Sequence, residues 1–143
     1  MATLTLYPAK IKPLEGAIIS AKDAGEATKV GKLVYVAADG MVYETDAASA
    51  AKVSGNIGMV VSGGRQDPEG DVAAGERVGV LWFGRVALNG TTLDMTKQYY
   101  CANVTSTVKG LIGDAAGTVT RRVGAAESAT VLFFNPDTSG ASS

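Results

Sequence analysis

The chain reads as an all-β domain, a small closed β-barrel or sandwich with two pseudo-repeated halves, an extended N-terminal arm and little helix. Three observations predict this. Apolar residues fall in short runs bounded by Gly- and Asp-containing turns, and no stretch of ten or more residues keeps the 3.6-residue apolar period of a helix. The composition, 46% hydrophobic and 19% charged with 18 Gly and 4 Pro, suits a buried core joined by many turns and argues against disorder. The stretch "KLVYVAA" at residues 32–38 is written again as "KQYYCAN" at 97–103, with Tyr35 and Tyr100 at the fourth position and Ala37 and Ala102 at the sixth.

Residues 1–14 form the expected arm. Leu4, Leu6, Tyr7, Ile11 and Leu14 alternate loosely with polar residues, while Pro8 and Pro13 remove backbone donors and bar a central strand. The arm is therefore read as an attachment element reaching onto a neighbouring subunit; the competing reading makes it an edge strand of the protein's own barrel. The single β domain spans 15–134, with pseudo-repeats over 29–90 and 93–134, and 135–143 is a small, polar tail.

Within the domain, residues 17–20 suit a short edge strand. "KLVYVAADGMVYETD" then reads as a hairpin, because Asp39-Gly40 offers the positive φ that a tight turn needs. "AASAAKVSG" suits one helical turn or a loop, and "NIGMVVSGG" a strand closed by two glycines. The segment from Ser62 to Glu76 is a loop with Asp67, Glu69 and Asp71, facing solvent or a partner. "RVGVLWFGRVAL" gives two strands broken by a bend or bulge at Gly84, and Asn89-Gly90 marks the next turn. Further strands are expected at "KQYYCAN", "TVKGLIG", "TVTRRVGAA" and "SATVLFF".

The repeat continues beyond its opening pair. Ile57-Gly58-Met59-Val60 aligns with Val123-Gly124-Ala125-Ala126, and Val80-Leu81-Trp82-Phe83 with Val131-Leu132-Phe133-Phe134. Two copies are too few for a solenoid but suit a pair of halves that cover each other's apolar faces.

Charge and chemistry narrow the function. Thirteen Lys and Arg against 14 Asp and Glu leave a formal charge of −1, so no nucleic-acid footprint is present. No stretch approaches about 18 consecutive apolar residues, and no membrane span or signal peptide is expected. The chain contains no His, the commonest acid-base group and metal ligand, so no catalytic residue, cofactor or metal site is expected. Cys101 reads as a small buried hydrophobe; as a nucleophile it would need a base, and only Lys97 and Lys109 are on offer. "DPEGD" lacks EF-hand spacing and reads as a solvated turn. Arg121-Arg122 reads as a solvated edge. Trp82 and Phe83, consecutive in a strand, point to opposite faces: either both fill a two-sided core or one is a contact anchor.

The succession "VGKLVYVAADGMVYETDAASAAKVSGNIGMVVSGG", "GERVGVLWFGRVAL" and "KQYYCAN…GLIGDAAGTVTRRVGAA…ATVLFF" resembles the capsid cement, or head decoration, proteins of tailed bacteriophages over residues 15–134. The chain departs from that pattern at Lys32, where the family carries Asp, and at Thr96, where its second half begins with Gly. The resemblance implies a structural protein, made in the host cytoplasm, that binds the outer capsid surface and bridges neighbouring major capsid subunits. It also implies self-association, with a trimer favoured over a dimer, and no catalysis. A host- or glycan-binding module on the particle, and a small enzyme or carrier domain, are the rivals.

Overall fold

A computed structural model describes residues 3–63, 70–104 and 107–136 of the chain. The architecture is all-β: ten strands form one curled sheet, and two more form a small separate ladder. In chain order the strands are β1 (Ile11–Pro13), β2 (Ile18–Asp23), β3 (Thr28–Lys29), β4 (Leu33–Val36), β5 (Val42–Glu44) and β6 (Ile57–Ser62). They continue with β7 (Asp71–Val72), β8 (Arg77–Leu88), β9 (Gln98–Cys101), β10 (Ile112–Gly113), β11 (Arg122–Ala126) and β12 (Val131–Phe134). Helix among the described residues is confined to two single 3-10 turns, Pro8–Lys10 and Ala50–Lys52.

The expected break at Gly84 is a bend within one strand. β8 runs unbroken for 12 residues, and Gly84 sits at φ +126°, in the left-handed half of backbone space that a side chain disfavours. A Cβ there would also lie 2.7 Å from Ala17 Cα. On either side of Gly84 the strand serves different neighbours. Its first half pairs with β2 and β6, its second half with β1 and β12, all antiparallel.

The pseudo-repeat appears as pairing order. The sheet reads β10-β9-β11-β12-β8-β6-β4-β5, so each half places its first strand between its second and third and then adds its fourth. Thus β4, β5, β6 and β8 correspond to β9, β10, β11 and β12. The match of "KLVYVAA" onto "KQYYCAN", however, is one residue out. Leu33 is buried whereas Gln98 is exposed, and Leu33 and Tyr35 share a core with Tyr99 and Cys101. Because side chains alternate faces, that one-residue shift separates a core position from a solvent position. Among the described residues no continuous ladder closes the sheet. Its ends meet through irregular backbone bonds, Leu33 N–H to Gly110 O (2.8 Å), Gly110 N–H to Thr45 O (2.8 Å) and Ala47 N–H to Ala102 O (3.1 Å).

Two apolar clusters follow from the alternation. The larger one draws Leu33, Met59 and Leu81 from the first half together with Tyr99, Ile112, Val123, Leu132 and Phe134 from the second, so this core is shared between the halves. The smaller lies on the opposite face of the first half, where Val34, Val42, Val60, Val78 and Val80 pack with Val72 and Ala24. Val72 belongs to β7, which pairs with β3. β7 stands within the segment from Ser62 to Glu76 that reads as a plain loop in the sequence, and its partner β3 comes from the loop after β2. Asp71 lies in β7, 3.6 Å from Lys29 Nζ, while Asp67 and Glu69 fall outside the described residues.

Arg121 corrects the expectation of a solvated basic edge. It is 3% exposed, and its guanidinium donates to Val53 O (3.0 Å) and Gly55 O (2.9 Å). The turn after Ala50–Lys52 presents these two carbonyls side by side, and a planar fork of donors meets both.

A second polar cluster ties the halves together. Lys109 Nζ, from the second half, lies 2.7 Å from Glu26 Oε1, whose other oxygen accepts the Glu44 N–H. Thr28 Oγ1 donates to Glu44 Oε2 (2.9 Å), and Lys32 Nζ donates to Lys109 O (2.7 Å). Burial raises the Glu44 carboxyl above its ordinary value and lowers the Lys32 ammonium, whereas the bond to Glu26 raises Lys109.

Two outcomes are expected. Gly84→Ala combines an unfavourable φ with a steric overlap against Ala17 and should cost about 2–3 kcal/mol, read as a lowered midpoint in urea unfolding. For Glu44, a folded-state pKa above the unfolded one means a contribution that favours the fold below the unfolded pKa and is lost as pH rises through the folded value. Glu44→Gln, which keeps an acceptor for Thr28, should therefore be at least as stable as the parent at about pH 7, with the difference shrinking towards about pH 4. A Glu44→Gln protein clearly weaker than the parent at neutral pH would contradict this.

Candidate interaction surface

The arm lies on the protein's own body, which is the competing reading of the sequence. Leu4 N–H donates to Ile112 O (2.9 Å), Thr3 bridges to Gly113, Thr91 Oγ1 donates to Thr5 O (2.6 Å), and Leu14 N–H donates to Arg85 O (2.9 Å). Between these anchors, β1 pairs with the second half of β8 and includes Pro13 opposite Val86. The prolines therefore do not hold the arm off the sheet: Pro13 occupies an edge strand, where a missing N–H is tolerated, and Pro8 starts a 3-10 turn. Leu4, Leu6 and Ile11 pack against the larger core, and Leu14 is half-buried. Tyr7 alone of the five is exposed, at 45%, with Lys10 Nζ 5.7 Å from its ring centre.

Trp82 and Phe83 diverge as their positions require. Trp82 packs against the smaller, valine-rich core, and its indole N–H donates to Ser20 Oγ (2.6 Å). Phe83 remains 39% exposed and meets Phe133 edge-on, ring centres 5.4 Å apart. Across the ladder from Phe83 stands Ile18, 57% exposed, followed by Ile19 at 43%. Ile18, Phe83 and Phe133 thus form a continuous apolar strip. Ile18 and Ile19 carry no signal in the sequence that separates them from core residues; only the structure shows that no described element covers them.

The Ile18 end of this strip lies on an unusual strand, β2. Its first four residues are all exposed, and among the described strands it pairs only with β8, leaving its other edge without a ladder. An apolar edge of this kind is a template for association unless something blunts it. Lys22 and Asp23 at its end, the latter paired with Arg77 at 3.1 Å, are the charges available for that.

Beside the strip, β8 changes partners. β6 accompanies it as far as the Met59–Leu81 pair, and β12 begins at the Phe134–Gly84 pair. Trp82 and Phe83 fall in the gap, which opens as a groove of about 610 Å³ lined also by Ser20, Lys22, Asn56, Arg121 and Asn135.

Cys101 is fully buried, and burial pushes its thiol up to about 12. A thiol this protonated at neutral pH is no nucleophile. Among the described residues no group of three or more Cys, Asp and Glu is placed to hold a metal ion, and no helix is long and apolar enough to cross a membrane.

The geometry defines a class, an all-β protein whose most distinctive exposed feature is an apolar edge. Comparison goes no further: no family model, no curated protein and no solved structure matches the chain.

Removing residues 1–14 deletes β1 and uncovers the larger core where Leu4, Leu6 and Ile11 rest. A chain beginning at Glu15 should melt about 10 °C lower than the parent, from the loss of three partly buried aliphatic side chains worth roughly 3 kcal/mol or more together. An unchanged melting temperature would show that the arm is not part of the folded unit.

Proposed function

We propose that the protein is a structural component of a phage virion that binds the outer capsid surface and stabilises it by bridging neighbouring major capsid subunits. The observation that carries this reading is the exposed strip formed by Ile18 on the open edge strand β2, Phe83 on β8 and Phe133 on β12, a surface suited to binding another protein. The sequence likeness to capsid cement proteins agrees with it. So does the inert state of Cys101, the chain's one thiol, since a protein of this kind acts by binding.

Attachment falls to β2 and Phe83 instead of the arm. Burying Ile18, Ile19 and Phe83 is worth roughly 1.5–3 kcal/mol each, against an association cost of about 4–15 kcal/mol. One copy would hold weakly. A self-associated protein, a trimer in the favoured form, presents several such strips at once, and avidity then gains on the order of 10²–10⁴.

The test mixes purified protein with empty expanded shells of its cognate phage and measures co-sedimentation. The parent should bind the shells stoichiometrically and, added to DNA-filled particles that lack it, raise the temperature at which they release DNA. Ile18→Ser combined with Phe83→Ser should keep the parent's melting behaviour but bind at least tenfold more weakly, the loss expected for about two buried apolar side chains. Failure of the parent to sediment with shells would defeat the proposal.

A further inference from the structure

We propose that the groove at the partner switch of β8 is a carbohydrate-binding site for a neutral or singly charged mono- or disaccharide. Its volume, about 610 Å³, falls within the ~300–1,000 Å³ of small-molecule sites. Its lining pairs aromatic surface with uncommitted amides. The Trp82 indole is held in place by its bond to Ser20 and is only partly buried. A flat ring face of this kind suits the C–H face of a sugar ring.

The amides supply the polar half. Asn56 is fixed through its carbonyl, which accepts the Val36 N–H (3.3 Å), and Asn135 through its N–H, which donates to Val123 O (2.7 Å). Their side chains have no hydrogen-bond partner among the described residues and line the groove. Each amide offers two donors and an acceptor, the complement of adjacent hydroxyls that both give and take a hydrogen bond. Because both backbones are already anchored, little order need be lost on binding.

Charge selects against other ligands. Among the described residues no carboxylate lines the groove, and of its two cationic residues Arg121 directs its guanidinium to the Val53 and Gly55 carbonyls. Lys22 provides one positive charge at the rim. That is too little for a polyphosphate and enough for a neutral sugar or one carrying a single carboxylate.

Trp82 is the chain's sole tryptophan, so emission excited selectively at the indole comes from a residue that lines this groove. The parent is titrated with glucose, galactose, N-acetylglucosamine, N-acetylneuraminic acid and lactose, followed by tryptophan fluorescence and by calorimetry. At least one should give saturable binding, weakened at least about tenfold by Asn56→Ala and by Asn135→Ala with unchanged melting curves. Lys22→Ala serves as the third variant should either amide substitution disturb the fold, and is expected to weaken N-acetylneuraminic acid selectively. Absence of binding for every sugar by both methods, or binding that survives the substitutions in folded protein, overturns the proposal. Capsid attachment through Ile18 and Phe83 is measured separately and stands or falls on its own.

Discussion

The fold hangs on the double use of one strand. β8 is paired along both edges and changes both partners near its middle, with β2 and β6 before Gly84 and β1 and β12 after it. A straight strand cannot serve two such sets of neighbours in a curled sheet; the local turn at Gly84, at φ +126° with Ala17 pressed against it, redirects the second half. Through β8 the two repeats become one sheet, and their inward side chains combine in one larger core.

The irregularity that joins the halves also generates the exposed features. Where β6 leaves β8 and β12 has yet to begin, Trp82 and Phe83 have no ladder neighbour on that edge, and the groove opens there. On the opposite edge the register of β2 shifts between Ile18 and Ile19, beside Phe83, and both isoleucines stay in solvent. The apolar strip and the groove are thus two consequences of one partner exchange. They remain chemically distinct: one presents Ile and Phe carbons to a protein surface, the other presents amides beside an anchored indole.

Polar residues finish what the strands leave open. Arg121 closes the carbonyls of the turn after Ala50–Lys52, and the Glu26, Glu44, Lys32 and Lys109 cluster ties a loop of the second half to the first. Backbone bonds through Thr45, Ala47 and Gly110 then hold the ends of the sheet where no ladder runs. The arm completes the cover, contacting β8, Ile112 and Thr91 in turn.

The sequence by itself determined what depends on neighbours along the chain. Short apolar runs and scarce helical periodicity establish the all-β class, Asp39-Gly40 turns β4 into β5 with Gly40 at φ +82°, and Gly84 marks the bend. The repeat was legible as an order of elements, and the structure carries the same order as strand pairing. Tertiary structure alone decided which face each residue takes, because alternation has a period of two and letter matching cannot tell Leu33 against Gln98 from Leu33 against Tyr99. It decided that Arg121 is buried, since the carbonyls it meets lie more than 60 positions away at Val53 and Gly55. It also decided that Leu4, Leu6 and Ile11 are covered while Ile18 and Phe83 are not. All five are hydrophobic residues of strand-like or extended segments, and burial is settled by what the rest of the chain lays over each of them.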